Sequence, residues 1–287
     1  MYIKDIFNNK RNVLSFEVFP PKQESGLESV KNTVKALSQM PIDYMSVTCG
    51  AGGSTAKSTP EIAGYIQNDC SLTALAHITC VTQSREQIHN TLTSLKELGI
   101  KNILALRGDI PKDGNIMQDY KYASELIKEI KDFGGFCVGG ACYPECHPDS
   151  RSVDEDIESL KIKQDCGCDF LVTQMFFDNE KFYEFKNKAE RKGVKIPITA
   201  GIMPLTNKGQ IERMCILSGG ASMPSKFTRM FARYQDNPEA LKQAGIAYAV
   251  NQITDLLSND VDGIHVYTMN KPEVAEKIVS VVNSLFE

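Results

Sequence analysis

Glu17 lies inside a markedly apolar run, Val13-Leu14-Ser15-Phe16-Glu17-Val18-Phe19, just ahead of Pro20-Pro21. A carboxylate buried without a partner costs several kcal/mol unless it is protonated, hydrogen-bonded or put to use. Polar groups close other short apolar runs: Thr48, His77, Arg107 with Asp109, Tyr143 with Glu145 and His147, Gln174, and Tyr267 with Asn270 and Lys271. The set holds carboxylates, imidazoles, an arginine and an amide. It contains no Ser-His-Asp arrangement, and His77 and His147 are not at metal-ligand spacing. Such a mixture suits proton transfer beside a bound, electron-accepting ligand. Between Phe16 and Val18, desolvation is expected to raise the Glu17 pKa, as a general acid near neutral pH requires. Arg107-Gly108-Asp109 places both charges at one strand end, which suits anion and ring-nitrogen contacts. Taken singly, Glu17 reads as half of an ion pair, His77 as a satisfied core histidine and Gln174 as a core amide. His89, on a helix, and His265, in the last apolar run, carry structural readings only. The functional case therefore rests on convergence at one face.

Convergence needs a scaffold, and the chain offers one. Eight apolar runs recur at 13–19, 44–49, 74–80, 102–108, 136–143, 170–177, 197–203 and 263–269. Most are continuous rather than alternating, as in parallel strands covered on both faces. Between them lie helix signals. Ser25-x-x-Glu28 and Ser84-x-x-Gln87 read as capping boxes, Thr59-Pro60 as a helix start, and Ser152-x-x-Glu155 opens the helix after the fifth strand. The long gap before the last strand has room for an extra helix near 224–235, ahead of one at 237–257. Eight β-then-α units without a composition break predict one (β/α)₈ barrel over 1–287, with its active site at the C-terminal strand ends. A doubly wound sheet is the rival, but its G-x-G-x-x-G fingerprint follows no strand, and Gly-Ala-Gly-Gly-Ser-Thr at 50–55 is mis-spaced.

Composition excludes several classes. The net charge of −4, with cations scattered along the chain, gives no basic stripe for nucleic acid. No apolar run is long enough to span a membrane, and the first residues lack a signal-peptide core, so a cytoplasmic location is expected. Nine cysteines are then read as reduced, mostly buried thiols. Cys142, Cys146, His147, Cys166 and Cys168 do not have the spacing of zinc ligand pairs, so no metal is expected.

The segments SFEVFPPK, SVTCGAGGST, AHITC, ALRGD, YPECHP, TQMFFD, GIMP and YTMNK occur in order at the predicted strand ends. Together they resemble the methylenetetrahydrofolate reductase family across essentially the whole chain. The length resembles the bacterial catalytic barrel alone. The resemblance implies an FAD-containing barrel that reduces 5,10-methylenetetrahydrofolate to 5-methyltetrahydrofolate by ping-pong hydride transfer. It implies Glu17 as the general acid that protonates the folate bridging nitrogen, and Asp109 beside the pterin and the flavin pyrimidine edge. Thr48, Cys49, Ala51, His77, Arg107, Gly108, Tyr122, Ala123, Tyr143, His147, Asp156 and Lys163 fall at family positions lining FAD, with Arg107 and Lys163 facing its diphosphate. Gln174 matches the amide contacting pterin or nicotinamide, and Gln210 and Lys271 match positions holding the distal part of the folate. Cys49, Met175, Met214 and Lys271 depart from the commoner family pattern, and Lys271 gives up the bidentate reach of an arginine. The expected donor is NADH. The alternatives are reduction through an iron–sulfur partner subunit, a flavin-free pterin-binding methyltransferase barrel, or a purely folate-binding protein. Homo-oligomers are common in the family.

Overall fold

The structure, a computed structural model, describes residues 1–21, 23–49, 58–110, 116–117, 119–211 and 223–286. Its strands are β1 Val13–Val18, β2 Tyr44–Val47, β3 Thr73–Thr79, β4 Asn102–Leu106, β5 Cys137–Cys142, β6 Phe170–Thr173, β7 Ile198–Ile202 and β8 Gly263–Tyr267. All pair in parallel and in sequence order, and β8 returns to β1, closing the barrel that the apolar runs predict. Helices described after the strands include α1 Ile3–Asn9, α2 Leu27–Leu37, α3 Ser58–Gly64, α4 Arg85–Glu97, α5 Ala123–Phe133, α6 Val153–Asp165 and α7 Asn179–Arg191. Then come α8 Ser225–Tyr234, which is the extra helix expected before the last strand, α9 Pro238–Ser258 and α10 Pro272–Val282.

Two capping expectations hold and one does not. At α4 the Ser84 hydroxyl accepts from Gln87 N–H while the Gln87 side chain accepts from Ser84 N–H, a complete capping box. At α6 the Ser152 hydroxyl accepts from Glu155 N–H. Ser25, by contrast, sits inside a short 3₁₀ turn, Glu24–Gly26, and the α2 N-cap is Gly26, which makes no side-chain cap. The turn moves the helix start one residue later, so the Ser-x-x-Glu spacing no longer spans N-cap to N3.

Period-2 alternation sorts each strand into an outer and an inner face. Outward residues such as Leu14, Phe16, Val18, Met45 and Val47 join the helices in one large core. Inward residues Val13, Tyr44, Leu75, Leu104, Cys137 and Phe170 form a separate cluster, plugged from below by Ile3 and Ile6 of α1. Asn102 fastens this plug, accepting from Ile3 N–H at 2.8 Å and donating to Met1 O at 3.1 Å. Small inner residues make room for large ones: a Cβ at Gly139 would stand 2.6 Å from the Phe170 ring, and one at Gly201 would stand 2.4 Å from Thr173 O. With the lower barrel filled by apolar side chains, the upper, C-terminal end is left to polar ones.

Candidate active site

The β1 register aligns Glu17 with Ser46 of β2 and with Tyr267 of β8, and Ser15 with Tyr44 and His265. Glu17 therefore points into the upper barrel among polar neighbours from three other strands. Its Oε2 lies 3.4 Å from His265 Nε2, 3.6 Å from His77 Nε2 and 3.4 Å from the Ser46 hydroxyl, which donates to it. His77 is 6% exposed and His265 1%. Burial dominates at His77 and pulls its imidazole down to about 4, so it is neutral at neutral pH. Burial also acts most strongly on Glu17, and upward. It is outweighed by the His265 hydrogen bond, by the histidine charges and by Ser46, and the net shift is downward. This corrects the expectation of a raised pKa in the ligand-free site: the flanking Phe16 and Val18 face outward, and what the carboxyl meets is polar. Since His77 carries no charge above about pH 4, hydrogen bonding from His265 and Ser46 is what holds the carboxylate at neutral pH.

A second group gathers at the ends of β4 and β5. The Arg107 guanidinium pairs with Asp149 at 2.7 Å, and this ion pair holds the Asp149 carboxyl below its ordinary value. Gly108 adopts φ +86°, and a Cβ there would stand 3.0 Å from Thr79 Cβ, so the turn needs glycine twice over. Tyr143 and His147 meet edge to face with centroids 4.5 Å apart, and burial pushes the Tyr143 phenol up to about 12. Asp156 is buried at the start of α6, accepting from His147 N–H at 3.1 Å and from the Ser150 hydroxyl at 3.2 Å. Lys163, about two turns further along the same face of α6, donates to Ala141 O at 2.7 Å, and burial lowers its pKa. Thr48 and Cys49 follow β2. The Thr59 hydroxyl donates to Thr48 O, and the Cys49 thiol, 3.9 Å from the Thr79 hydroxyl, is pushed up by burial. Tyr122 and Ala123 open α5, where the Glu125 carboxylate accepts from Tyr122 N–H at 3.0 Å. Asp109 is exposed one residue past Gly108. Ala51 and Met214 lie outside the described residues.

The third group lines the other side of the barrel mouth. Gln174, exposed just past β6, accepts from Met175 N–H at 3.0 Å. Gln210 is buried, and both ends of its amide are spent on the loop after β7, accepting from Thr206 N–H and donating to Pro204 O. It shapes that loop, and Lys271 meets the same loop with Nζ 3.4 Å from the Thr206 hydroxyl. Asn270, at φ +53°, clamps the backbone of Phe19 in both directions, accepting at 3.1 Å and donating at 2.9 Å. Behind Gln174 stands an apolar wall of Phe177, Leu205 and Phe227, with Met175, Met203, Met223 and Met230 packed on it.

With this geometry in place, comparison with known proteins is decisive. The family model described as methylenetetrahydrofolate reductase matches residues 2–283. The chain belongs to the methylenetetrahydrofolate reductase family. It is 33% identical over 265 residues to the 5,10-methylenetetrahydrofolate reductase of Pectobacterium carotovorum, covering 92% of this chain and 88% of that one. It is 30% identical to the Escherichia coli protein of the same name, again over 92% of this chain and 88% of the relative. It is 34% identical to methylenetetrahydrofolate reductase (NADH) 1 of Arabidopsis thaliana over 93% of this chain, which spans 48% of that longer relative. Among solved structures, a Clostridium thermocellum protein described as binding two copies of 5-methyl-5,6,7,8-tetrahydrofolic acid aligns with a TM-score of 0.72 at 16% identity, covering 99% and 98% of the two chains. That likeness shows the barrel fold alone.

For a chain of this family, the donors present fit a flavin dinucleotide. Arg107 follows β4 and Lys163 reaches from α6 to Ala141 O on neighbouring β5, so two cations flank this side of the mouth; the Gly108 turn excludes any side chain, and His77 Nε2 is a buried atom without a hydrogen-bond partner. Among the described residues no group of three or more His, Cys, Asp and Glu is placed to hold a metal ion. No described helix is long and apolar enough to cross a membrane. The sequence reading missed His265, Ser46 and Asp149. Parity could have found the first, since His265 lies two residues before Tyr267 on the same strand face and pairs in register with Ser15, two before Glu17. Asp149 lies just past His147-Pro148 in a loop, where no periodicity points.

Proposed function

We propose that residues 1–287 form one FAD-binding catalytic domain that reduces 5,10-methylenetetrahydrofolate to 5-methyltetrahydrofolate, with NADH as electron donor. The observation that carries this reading is Glu17, an inward carboxyl at the barrel mouth with a ring of polar partners, in a chain of this family. NADH is favoured by the plant relatives whose names include it. A folate ligand is favoured by the Clostridium barrel that binds a methylated one. A bound flavin would supply the hydride chemistry, taking a hydride from NADH in one half-reaction and giving it up in the other.

The chain's own residues do the rest. Arg107 and Lys163 would hold the diphosphate, Arg107 exchanging its Asp149 partner for a stronger anion. His77, Tyr143, His147 and Asp156 would set the cofactor's place beside β3–β5, with Thr48, Cys49, Tyr122 and Ala123 along its edge and Asp109 at the ring system. Gln174 would meet the pterin or nicotinamide, and Lys271, on the loop that Gln210 shapes, the distal folate carboxylates. Glu17 donates a proton to the bridging nitrogen of the folate. The C–N bond opens as its electron pair accepts that proton, leaving a carbocationic iminium carbon ready for hydride. Exclusion of water from the occupied site would strengthen the upward pull of burial on Glu17 and make its carboxyl an acid.

Glu17→Gln tests this directly. Rapid mixing of the reduced variant with methylenetetrahydrofolate should show flavin reoxidation slowed by about 10²–10⁴-fold, the usual worth of a general acid, while reduction by NADH persists. Unaltered reoxidation would remove Glu17 from the mechanism.

A further inference from the structure

The backbone ladder between β1 and β8 ends where Glu17 meets Tyr267. Past that point two side chains of the turn after β8 take the ladder's place. The hydroxyl of Thr268, a residue 2% exposed, donates to Glu17 O at 2.7 Å. The Asn270 amide accepts from Phe19 N–H at 3.1 Å and donates to Phe19 O at 2.9 Å. On its other side the end of β1 is held by a backbone bond, Thr48 N–H to Val18 O at 3.0 Å. Pro20 and Pro21 follow at once and stiffen the exit of the strand. The end of β1 that carries Glu17 is thus strapped toward β8 by Thr268 and Asn270.

The strap is itself strained. Met269 and Asn270 both adopt φ +53°, two successive non-glycine residues in the left-handed region. Side chains with a Cβ avoid that region, and such a backbone persists only where its surroundings over-determine it. Here the anchors are the Glu17 and Phe19 bonds, Asn270 N–H on the Thr268 hydroxyl at 3.3 Å, and Lys271 N–H on Thr268 O at 3.0 Å. Lys271 is the N-cap residue of α10, whose first turn holds Pro272 and the buried Val274 and Ala275. Its ammonium reaches the β7 loop, 3.4 Å from the Thr206 hydroxyl. One short turn therefore joins the lysine read as holding the far end of the folate to the backbone of the residue read as its acid.

We propose that Thr268 and Asn270 are positioning residues that couple the grip of Lys271 on the distal folate carboxylates to the placement of Glu17. The inference rests on the proposed reductase reading, with Glu17 as general acid. Carboxylates bound at Lys271 add an anchor to the strained turn and hold it in this arrangement. Thr268 and Asn270 carry the arrangement to Glu17 O and to both backbone groups of Phe19. Without the tail, the turn relaxes part of the time and the carboxyl drifts from the bridging nitrogen.

Proton transfer needs close alignment, and a misplacement of about 1 Å can cost about 100-fold. Binding energy from an unreacting part of the substrate then appears in the rate and not only in affinity. A lysine that merely attracted the tail would tighten binding and leave the limiting rate alone.

The test is anaerobic rapid mixing of the reduced flavoenzyme with methylenetetrahydrofolate and with methylenetetrahydropteroate, the same ligand without its glutamate. Each gives a limiting rate of flavin reoxidation and a half-saturating concentration. In the parent, loss of the glutamate should raise the half-saturating concentration and lower the limiting rate by about 10–100-fold. Thr268→Val should reoxidise with the complete folate as slowly as the parent does with the truncated one. Its two limiting rates should be equal while its half-saturating concentrations still differ, because Lys271 remains. Thr268→Ser, which keeps the hydroxyl, should restore the parent ratio. Reduction by NADH, which uses no acid, should proceed at the parent rate in all three proteins. Equal limiting rates for the two ligands in the parent would overturn the proposal, as would a parent-like ratio in Thr268→Val. If Thr268→Val does not fold, Asn270→Gly decides in its place, since it keeps the left-handed backbone and cuts the Phe19 arm. Full reoxidation by Glu17→Gln would refute the general-acid reading itself. A slowed Glu17→Gln beside a parent-like ratio in Thr268→Val would refute only the coupling.

Discussion

Burial of His77 gives the protein an acid sensitivity whose sign and size follow from the site. In the folded chain its imidazole is held down at about 4, against an ordinary 6.5, mainly because it is desolvated between β2 and β4. As pH falls below about 6.5 the unfolded chain takes up a proton on this histidine and the folded chain does not, so stability drops with acid. The contribution is complete above about 6.5 and is exhausted near 4. A gap of about 2.5 units at 1.36 kcal/mol each comes to about 3 kcal/mol lost across that window. Glu17 works in the same direction but lower, since its folded pKa lies below 4.5 and its stabilisation fades only as pH falls through that value. Urea midpoints of the flavin-free chain between pH 4 and 7 should be compared with those of His77→Gln, which cannot titrate. Carboxylates common to both chains cancel in the difference, so the variant should show a slope shallower by that amount. Equal slopes would mean that His77 is solvated and charged in the folded protein, and the polar packing around Glu17 would have to be redrawn.

Other outcomes follow from single contacts. Gly201→Ala should cost about 1–3 kcal/mol by overpacking, because its Cβ would meet Thr173 O at 2.4 Å and the Tyr267 ring at 2.8 Å; the urea midpoint reads this. Asn270→Gly keeps the left-handed backbone but deletes the two-way clamp on Phe19, and should raise the KM for methylenetetrahydrofolate while flavin content stays at the parent level. Arg107→Ala should weaken flavin binding by roughly 10–100-fold, the worth of one charged hydrogen bond to an anion. Asp149→Ala, by freeing that guanidinium, should not weaken it; fluorescence quenching titrations with FAD distinguish the two.

The barrel was legible because parallel strands buried on both faces write themselves as continuous apolar runs, and all eight runs became strands. Their C-terminal ends were less so: 170–177 reads as one run, yet β6 stops at Thr173, and Gln174 emerges to the surface. Ser84 capped its helix and Ser25 did not, because a 3₁₀ turn moved the start of α2, and no local pattern distinguishes the two serines. The polar residues at strand ends converge as the barrel geometry requires, but Gln210 is spent on its own loop. The pKa of Glu17 was misread because sequence neighbours along a strand face opposite sides. The environment of an inward carboxyl is written in the adjacent strands, where Ser46 and His265 stand.

The central claim is that this barrel passes hydride from NADH to methylenetetrahydrofolate through a flavin. Its most direct test is the visible spectrum of the purified protein under anaerobic conditions, recorded before and after NADH and again after methylenetetrahydrofolate. The account predicts a flavin spectrum that bleaches with NADH and returns with the folate. A flavin that stays oxidised in NADH, or a protein with no flavin spectrum at all, would contradict it.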